Sequence, residues 1–172
     1  MCNNAGYGLG SLRTQPKIAE LIGEFICRWS LAEAVLIMPL MIAMDSSKQE
    51  VAAAMLSATN STEGKIKFVK TAVGNMLNQQ SRKMSIKKSL SLLDSICPER
   101  NSICHHVWAI DHRANNIVTI DFRQPEGASR IVVRSEENLR SICNRTVSAA
   151  KEICSASGST WVTNDLERQL RL

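Results

Sequence analysis

Side chains that can move protons or bind phosphate are concentrated between positions 99 and 106. This segment, ERNSICHH, contains Arg100, Asn101 and two of the three histidines of the chain, His105 and His106. A histidine can accept or donate a proton near neutral pH, and an arginine can neutralise a phosphate. Together these groups supply what RNA cleavage without a metal ion requires.

Helical spacing decides which of these side chains can meet. Asn101 and His105 are four residues apart, so they share one face of an ideal helix. Arg100 lies about 140° around the helix from His105, and only its long side chain can bring the guanidinium to the same site. We expect Asn101 to orient either His105 or a bound phosphate.

Other kinds of catalytic site are not indicated. The adjacent histidines do not have the i,i+3 or i,i+4 spacing of metal ligands, and no second ligand cluster completes a zinc site. The six cysteines are scattered without a C-x-x-C pair. Neither a glycine-rich phosphate loop nor a Ser-His-Asp arrangement can be picked out. We therefore expect no metal and no cofactor.

The pattern of apolar residues predicts mainly helices around this motif. Aromatic residues make up only 4% of the chain, so the core must be aliphatic, which suits packed helices. The predicted helices span 16–44, 47–56, 60–77, 81–96, 99–106 and 135–156, and the β-type runs span 107–111, 117–122 and 129–134. We expect a mainly α fold, an antiparallel bundle of four to five helices with a small antiparallel β insert before the last long helix.

The chain length of 172 residues fits one domain. We expect a flexible N-terminus over 1–14, a helical domain over 15–158 with a β meander at about 107–134, and a C-terminal tail over 159–172. The longest apolar run is about eleven residues, whereas a membrane span needs roughly 20. The N-terminus lacks the pattern of a signal peptide. These features predict a cytoplasmic protein that does not span a membrane.

Charged residues elsewhere are candidates for supporting the motif or binding RNA. Glu33 on the first predicted helix could hold Arg100, and Glu99 stands beside it in sequence. The net charge of +5 permits a polyanionic partner. The basic residues that could contact phosphates are Arg82, Lys83, Lys87 and Lys88 on a predicted helix and Arg123, Arg130 and Arg134 on the meander.

The segment ERNSICHH resembles the R-x(4–6)-H motif of the HEPN superfamily, in which a polar residue, often asparagine, follows the arginine. By this resemblance Arg100, Asn101 and His105 are the catalytic residues. The family motif often has a small residue where His106 stands, and Arg100 to His106 also fits the spacing, so either histidine could be the acid or base. The helical part, about 16–108 and 135–157, is covered, while the β insert departs from most of the superfamily.

The same resemblance implies a function and partners. Many members are metal-independent endoribonucleases of toxin–antitoxin, anti-phage or RNA-processing systems. It implies an RNA substrate, a homodimer that brings two motifs into one cleft, and a cognate antitoxin as a further partner.

Two hypotheses for a function without catalysis remain. In one, a HEPN-like bundle binds a protein or a nucleotide, and Arg100 and His105 close a buried polar network. In the other, a helical adaptor dimerises through its apolar face at 31–44. The exposure of the motif discriminates between the nuclease and the first of these.

Overall fold

The computed structural model describes residues 7–8, 12–111, 114–123 and 130–158. Its helices are α1 (Pro16–Ala34), α2 (Ile37–Ala43), α3 (Gln49–Ser57), α4 (Thr62–Met76), α5 (Gln80–Asp94), α6 (Cys97–His105) and α7 (Glu136–Ala156). Its strands are β1 (Tyr7–Gly8), β2 (Val107–Asp111), β3 (Asn116–Asp121) and β4 (Arg130–Arg134). The predicted mainly α fold with a small antiparallel sheet is confirmed. The predicted tail over 159–172 lies outside the described residues.

The chain divides into two compact units. The first unit draws its described residues from Met1–Cys27 and Pro98–Asn144, and the second from Arg28–Cys97 and Arg145–Leu172. The strands and nearly all of α6 belong to the first unit, whereas α2 to α5 belong to the second. The single domain predicted over 15–158 thus contains two units, and the motif lies with the sheet in one of them.

The long helix predicted from Pro16 to Met44 is two helices, α1 and α2, separated by a turn at Val35 and Leu36. Pro39 explains the break, because it has no N–H to offer the carbonyl of Val35 and its ring would clash with that carbonyl. Pro39 therefore lies in the first turn of α2, where no intrahelical donor is needed.

The four strands form one antiparallel sheet in the order β1-β2-β3-β4. In the central pair, Val107 of β2 lies opposite Ile120 of β3. β1 lies within the N-terminal stretch that we expected to be flexible, and it pairs with the end of β2. Two residues are too few for an alternating pattern, so the sequence does not predict this strand. Asn115, just before β3, has a φ of 51°, a left-handed conformation that asparagine tolerates.

The core of the first unit is built around α1, α7 and β3. Leu21, Phe25 and Leu139 are completely buried. β3 is buried from Ile117 to Asp121, on both faces of the sheet. The buried polar residues of β3, Thr119 and Asp121, must therefore find hydrogen-bond partners inside the unit.

One segment of the described chain, Pro16–Ala43, is long and apolar enough by composition to cross a membrane. Its mean hydropathy is 1.7. The turn before α2 interrupts it. Leu21 is buried in the first unit and Leu40 in the second. Buried side chains of this kind are typical of the core helices of soluble proteins, so the segment is weak evidence for a membrane span.

Candidate active site

Arg100, Asn101 and His105 meet on α6. Nη1 of Arg100 donates to Oδ1 of Asn101 over 3.2 Å and lies 2.9 Å from Nε2 of His105. A guanidinium only donates hydrogen bonds, so Nε2 of His105 is the acceptor in this contact. The long Arg100 side chain thus brings its guanidinium around the helix to His105.

The motif combines an anchored cation with an accessible imidazole. His105 is exposed, whereas Arg100 is half-buried and its Nε is buried without a hydrogen bond among the described residues. Asn101 contacts the Arg100 guanidinium, which gives it a positioning role toward the cation. Partial burial raises the pKa of the Cys104 thiol more than the nearby Arg100 charge lowers it, so this thiol is a poor nucleophile.

His106 has a different environment from its neighbour. Its Nδ1 lies 3.0 Å from Oγ of Ser102. Its Nε2 lies 3.3 Å from Oδ2 of Asp121 and 3.1 Å from Nη2 of Arg123. The His106 side chain is only 8% exposed. The two adjacent histidines therefore face different surroundings: His105 faces solvent, and His106 links α6 to the end of β3.

Ser102 belongs to a buried polar cluster with Thr119 and Arg134. Nη2 of Arg134 donates to Oγ of Ser102 over 2.6 Å, and Nε donates to Oγ1 of Thr119 over 3.2 Å. The two hydroxyl oxygens are 3.1 Å apart. Arg134 is only 4% exposed. The prediction that Arg134 could contact phosphates is therefore wrong, since the guanidinium is buried and donates to Ser102, Thr119 and Asn138 inside the first unit.

Ser102, His106 and Asp121 are connected in the order of a Ser-His-Asp triad, which the sequence did not indicate. A nucleophilic serine needs access to a substrate and an activated hydroxyl. Oγ of Ser102 is instead buried and accepts the short bond from Arg134. This arrangement therefore holds α6 against β3 and β4 and is not a nucleophilic site.

Sequence reasoning missed Ser102, Thr119 and Asp121. The contact of Ser102 with His106 spans four residues, so it could have been anticipated from helix geometry. The contacts of Thr119 and Asp121 depend on how β3 packs against α6. No local pattern shows that packing.

Asp121 and Arg123 form a tight ion pair at the turn after β3. Oδ1 of Asp121 accepts from Nε of Arg123 over 2.9 Å and from its backbone N–H over 3.1 Å. These bonds hold the pKa of Asp121 well below its usual range and raise the pKa of Arg123. Both groups are therefore charged at neutral pH, and the turn is fixed beside His106.

The two glutamates expected to support the motif lie in different units. Glu33 belongs to the second unit, where its Oε1 accepts from Nζ of Lys65 over 2.8 Å and from Oγ1 of Thr62 over 3.0 Å. Glu99 belongs to the first unit and is half-buried in the first turn of α6. Of the two, only Glu99 lies in the same unit as Arg100.

The basic residues of α5 also belong to the second unit, and Arg82 has a structural role there. Its Nη2 donates to the carbonyl of Ser157 over 2.7 Å, and its Nε donates to that of Ala156 over 3.4 Å. Carbonyls at the end of a helix lack intrahelical donors, so Arg82 caps α7. Lys87 and Lys88 are exposed, and Lys83 is half-buried.

No family model, curated protein or solved structure matches the chain. The chemistry of the site therefore follows from its own geometry. Within the described ranges, no three His, Cys, Asp or Glu side chains converge as metal ligands. The arrangement offers a cation, a proton acceptor and an amide on one exposed part of α6.

Proposed function

We propose that the protein is a HEPN-like, metal-independent endoribonuclease. The observation that carries this proposal is the 2.9 Å contact between Nη1 of Arg100 and Nε2 of the exposed His105. It puts a phosphate-binding cation and a proton acceptor within reach of a single phosphodiester group. The proposal also agrees with the resemblance of ERNSICHH to the superfamily motif.

The reaction begins when a phosphate of RNA binds to Arg100. The phosphate oxygens then replace Nε2 of His105 as acceptors of the Arg100 guanidinium, which frees the lone pair of Nε2. His105 takes the proton of the 2′-hydroxyl, O2′ bonds to phosphorus, and the bond from phosphorus to O5′ breaks. The products are a 2′,3′-cyclic phosphate and a 5′-hydroxyl. The leaving oxygen takes a proton from the imidazolium so formed or from the second motif of a homodimer.

The other motif residues act around this proton transfer. Arg100 stabilises the dianionic transition state, and Asn101 keeps the guanidinium in place through its Oδ1. We assign the acid–base role to His105, because it is exposed. His106 has both ring nitrogens in contact with buried partners. His106 is then a positioning residue that holds the end of α6.

The proposal is tested by incubating purified protein with mixed RNA in EDTA. Wild type should produce fragments with 5′-hydroxyl ends, and His105→Ala and Arg100→Ala should each be slower by about 100-fold or more. Lys48→Ala, which removes an exposed charge in the second unit, is the matched control and should cleave like wild type. An Arg100→Ala protein that cleaves as fast as wild type would refute the proposal.

The biological setting follows from the same proposal. An RNA-cleaving protein of this kind would act in the cytoplasm as a homodimer, in a toxin–antitoxin or anti-phage system, with a cognate antitoxin as its partner. Size-exclusion chromatography with light scattering tests the dimer. A monomer that cleaves RNA would contradict the two-motif cleft while leaving the roles of Arg100 and His105 in place.

A second candidate function is binding without catalysis, and a cavity in the second unit favours it. The cavity has a volume of about 1230 Å³, and its lining includes Met38, Met41 and Met76. Methionine-lined surfaces adapt to varied apolar partners. If the protein is a stable dimer that cleaves no RNA in the same assay, this second function becomes the better account.

A further inference from the structure

Phe122 has the highest exposure among the large apolar side chains of the described residues. It is 64% exposed, whereas Phe25 is completely buried and Trp29 is 4% exposed. A phenylalanine left in water contributes little to folding, and its exposed ring is available for contact with another molecule.

The turn that carries Phe122 is fixed beside the candidate active site. In the β2–β3 pair, Val107 lies opposite Ile120. Beyond this pair, Asp121 contacts the His106 ring over 3.3 Å, and Arg123 contacts the same ring over 3.1 Å. Phe122 lies between these two residues in sequence. The exposed aromatic ring is therefore carried by a turn that contacts the histidine next to His105.

Arg123 adds a fixed cation at the same place. Nε and Nη2 of its guanidinium bond to Asp121, and Nη2 also contacts Nε2 of His106. Nη1 makes no hydrogen bond among the described residues, and the side chain is 66% exposed. The bonds of Nε and Nη2 hold the guanidinium in place, and Nη1 can donate to an anion.

We propose that Phe122 and Arg123 bind one nucleotide of single-stranded RNA beside His105, with the base stacked on the Phe122 ring and a phosphate on Nη1 of Arg123. This inference rests on the proposed function, and it specifies the class of substrate. Proteins recognise unpaired bases by stacking them on aromatic side chains, whereas the bases of a duplex are already stacked on one another. The enzyme therefore selects unpaired segments of RNA.

The test measures binding separately from cleavage. A fluorescein-labelled single-stranded oligonucleotide with 2′-O-methyl groups at every position cannot be cleaved, because its 2′-oxygen has no proton to lose. Anisotropy titration should show that Phe122→Ala weakens binding about tenfold, and that Phe122→Trp retains it. Val133→Ala, which shortens another exposed apolar side chain of the sheet, is the matched control and should bind like wild type.

Arg123 is tested through the salt dependence of the same titration. Arg123→Ala should make the slope of log K for binding against log salt concentration shallower by about one, as expected for the loss of one phosphate contact. Loss of packing alone would leave this slope unchanged. An unlabelled duplex of the same sequence should compete poorly with the single strand.

Two results would overturn the inference: wild-type affinity in Phe122→Ala, or no binding of the oligonucleotide by wild type. If Phe122→Ala keeps its RNA affinity and changes its oligomeric state, Phe122 is a protein contact. Failure of the proposed function looks different, since it appears as cleavage by His105→Ala at the wild-type rate.

Discussion

Replacing the two adjacent histidines one at a time should affect two different properties of the protein. His105→Ala should slow RNA cleavage strongly and leave stability almost unchanged. His106→Ala should lower stability. The prediction follows from exposure, because His105 is exposed while the His106 side chain is 8% exposed.

The cost of removing His106 can be worked out from its contacts. The substitution loses the contact of Nδ1 to Ser102 at 3.0 Å and the contacts of Nε2 to Arg123 at 3.1 Å and to Asp121 at 3.3 Å, and Nε2 can form one hydrogen bond with that pair. None of these partners is left without a hydrogen bond, because Ser102 keeps Arg134, and Asp121 and Arg123 keep each other. The loss is therefore two hydrogen bonds at about 1 kcal/mol each plus some packing, about 2–3 kcal/mol in the free energy of unfolding.

The corresponding figures for His105 have the opposite pattern. The His105 side chain is exposed and makes one polar contact among the described residues, to Arg100. His105→Ala should therefore change the unfolding free energy by less than about 0.5 kcal/mol. The loss of an acid–base group should slow cleavage by about 100-fold or more, which is about 2.7 kcal/mol of activation free energy.

Urea unfolding followed by tryptophan fluorescence suits this comparison. Nε1 of Trp108 donates to the carbonyl of Ile103 over 3.0 Å, so this indole reports on the last turn of α6. Cleavage rates are measured in EDTA with protein in excess over RNA. His106→Asn, which offers an amide near the position of Nδ1, should recover part of the lost stability. If His106→Ala were inactive but fully stable while His105→Ala cleaved normally, the assignment of the two histidines would be refuted.

Three further predictions concern the surroundings of the motif. Nη1 of Arg100 contacts both Asn101 and His105, and Arg100→Lys keeps the charge but loses the planar fork that can bind a phosphate through two nitrogens, so single-turnover cleavage should slow by about tenfold or more. Arg82→Ala should lower the unfolding free energy by about 1–2 kcal/mol through loss of the α7 cap, whereas Lys88→Ala, on the same helix, should change it by less than about 0.5 kcal/mol in urea titrations. The pKa of Asp121 is lower in the folded protein than in the unfolded chain, so its contribution to stability is present above about pH 4 and is lost as the pH falls further; thermal unfolding between pH 5 and pH 2 should show a smaller decline in Asp121→Asn.

The part of the site that could be predicted from sequence is the part that lies within one helix. Arg100, Asn101 and His105 fall within six consecutive residues, and helix geometry alone limits how their side chains can meet. The choice between His105 and His106 could not be predicted. It depends on Asp121, which the β2–β3 pairing brings to one of the two rings.

The fold shows the same division between local and distant causes. Helices and strands were predicted from periodicity, since each pattern extends over several residues. The break before α2 falls at Val35 and Leu36, upstream of Pro39, because proline affects the carbonyl four residues before it. β1 was missed, because its two residues form a strand only by pairing with β2.

The buried cluster helps to fix the last turn of α6, which carries the exposed motif. The last turn of a helix ordinarily frays, because its final carbonyls lack donors. In α6 the carbonyl of Ile103 accepts from Trp108, and the carbonyl of Ser102 accepts from the backbone N–H of His106 over 3.2 Å. The Ser102 side chain is held in addition by Arg134. His105 is therefore an exposed group on a fixed backbone, which is what proton transfer to a bound substrate requires. His106 thus secures the backbone that positions His105, to which we assign the acid–base role.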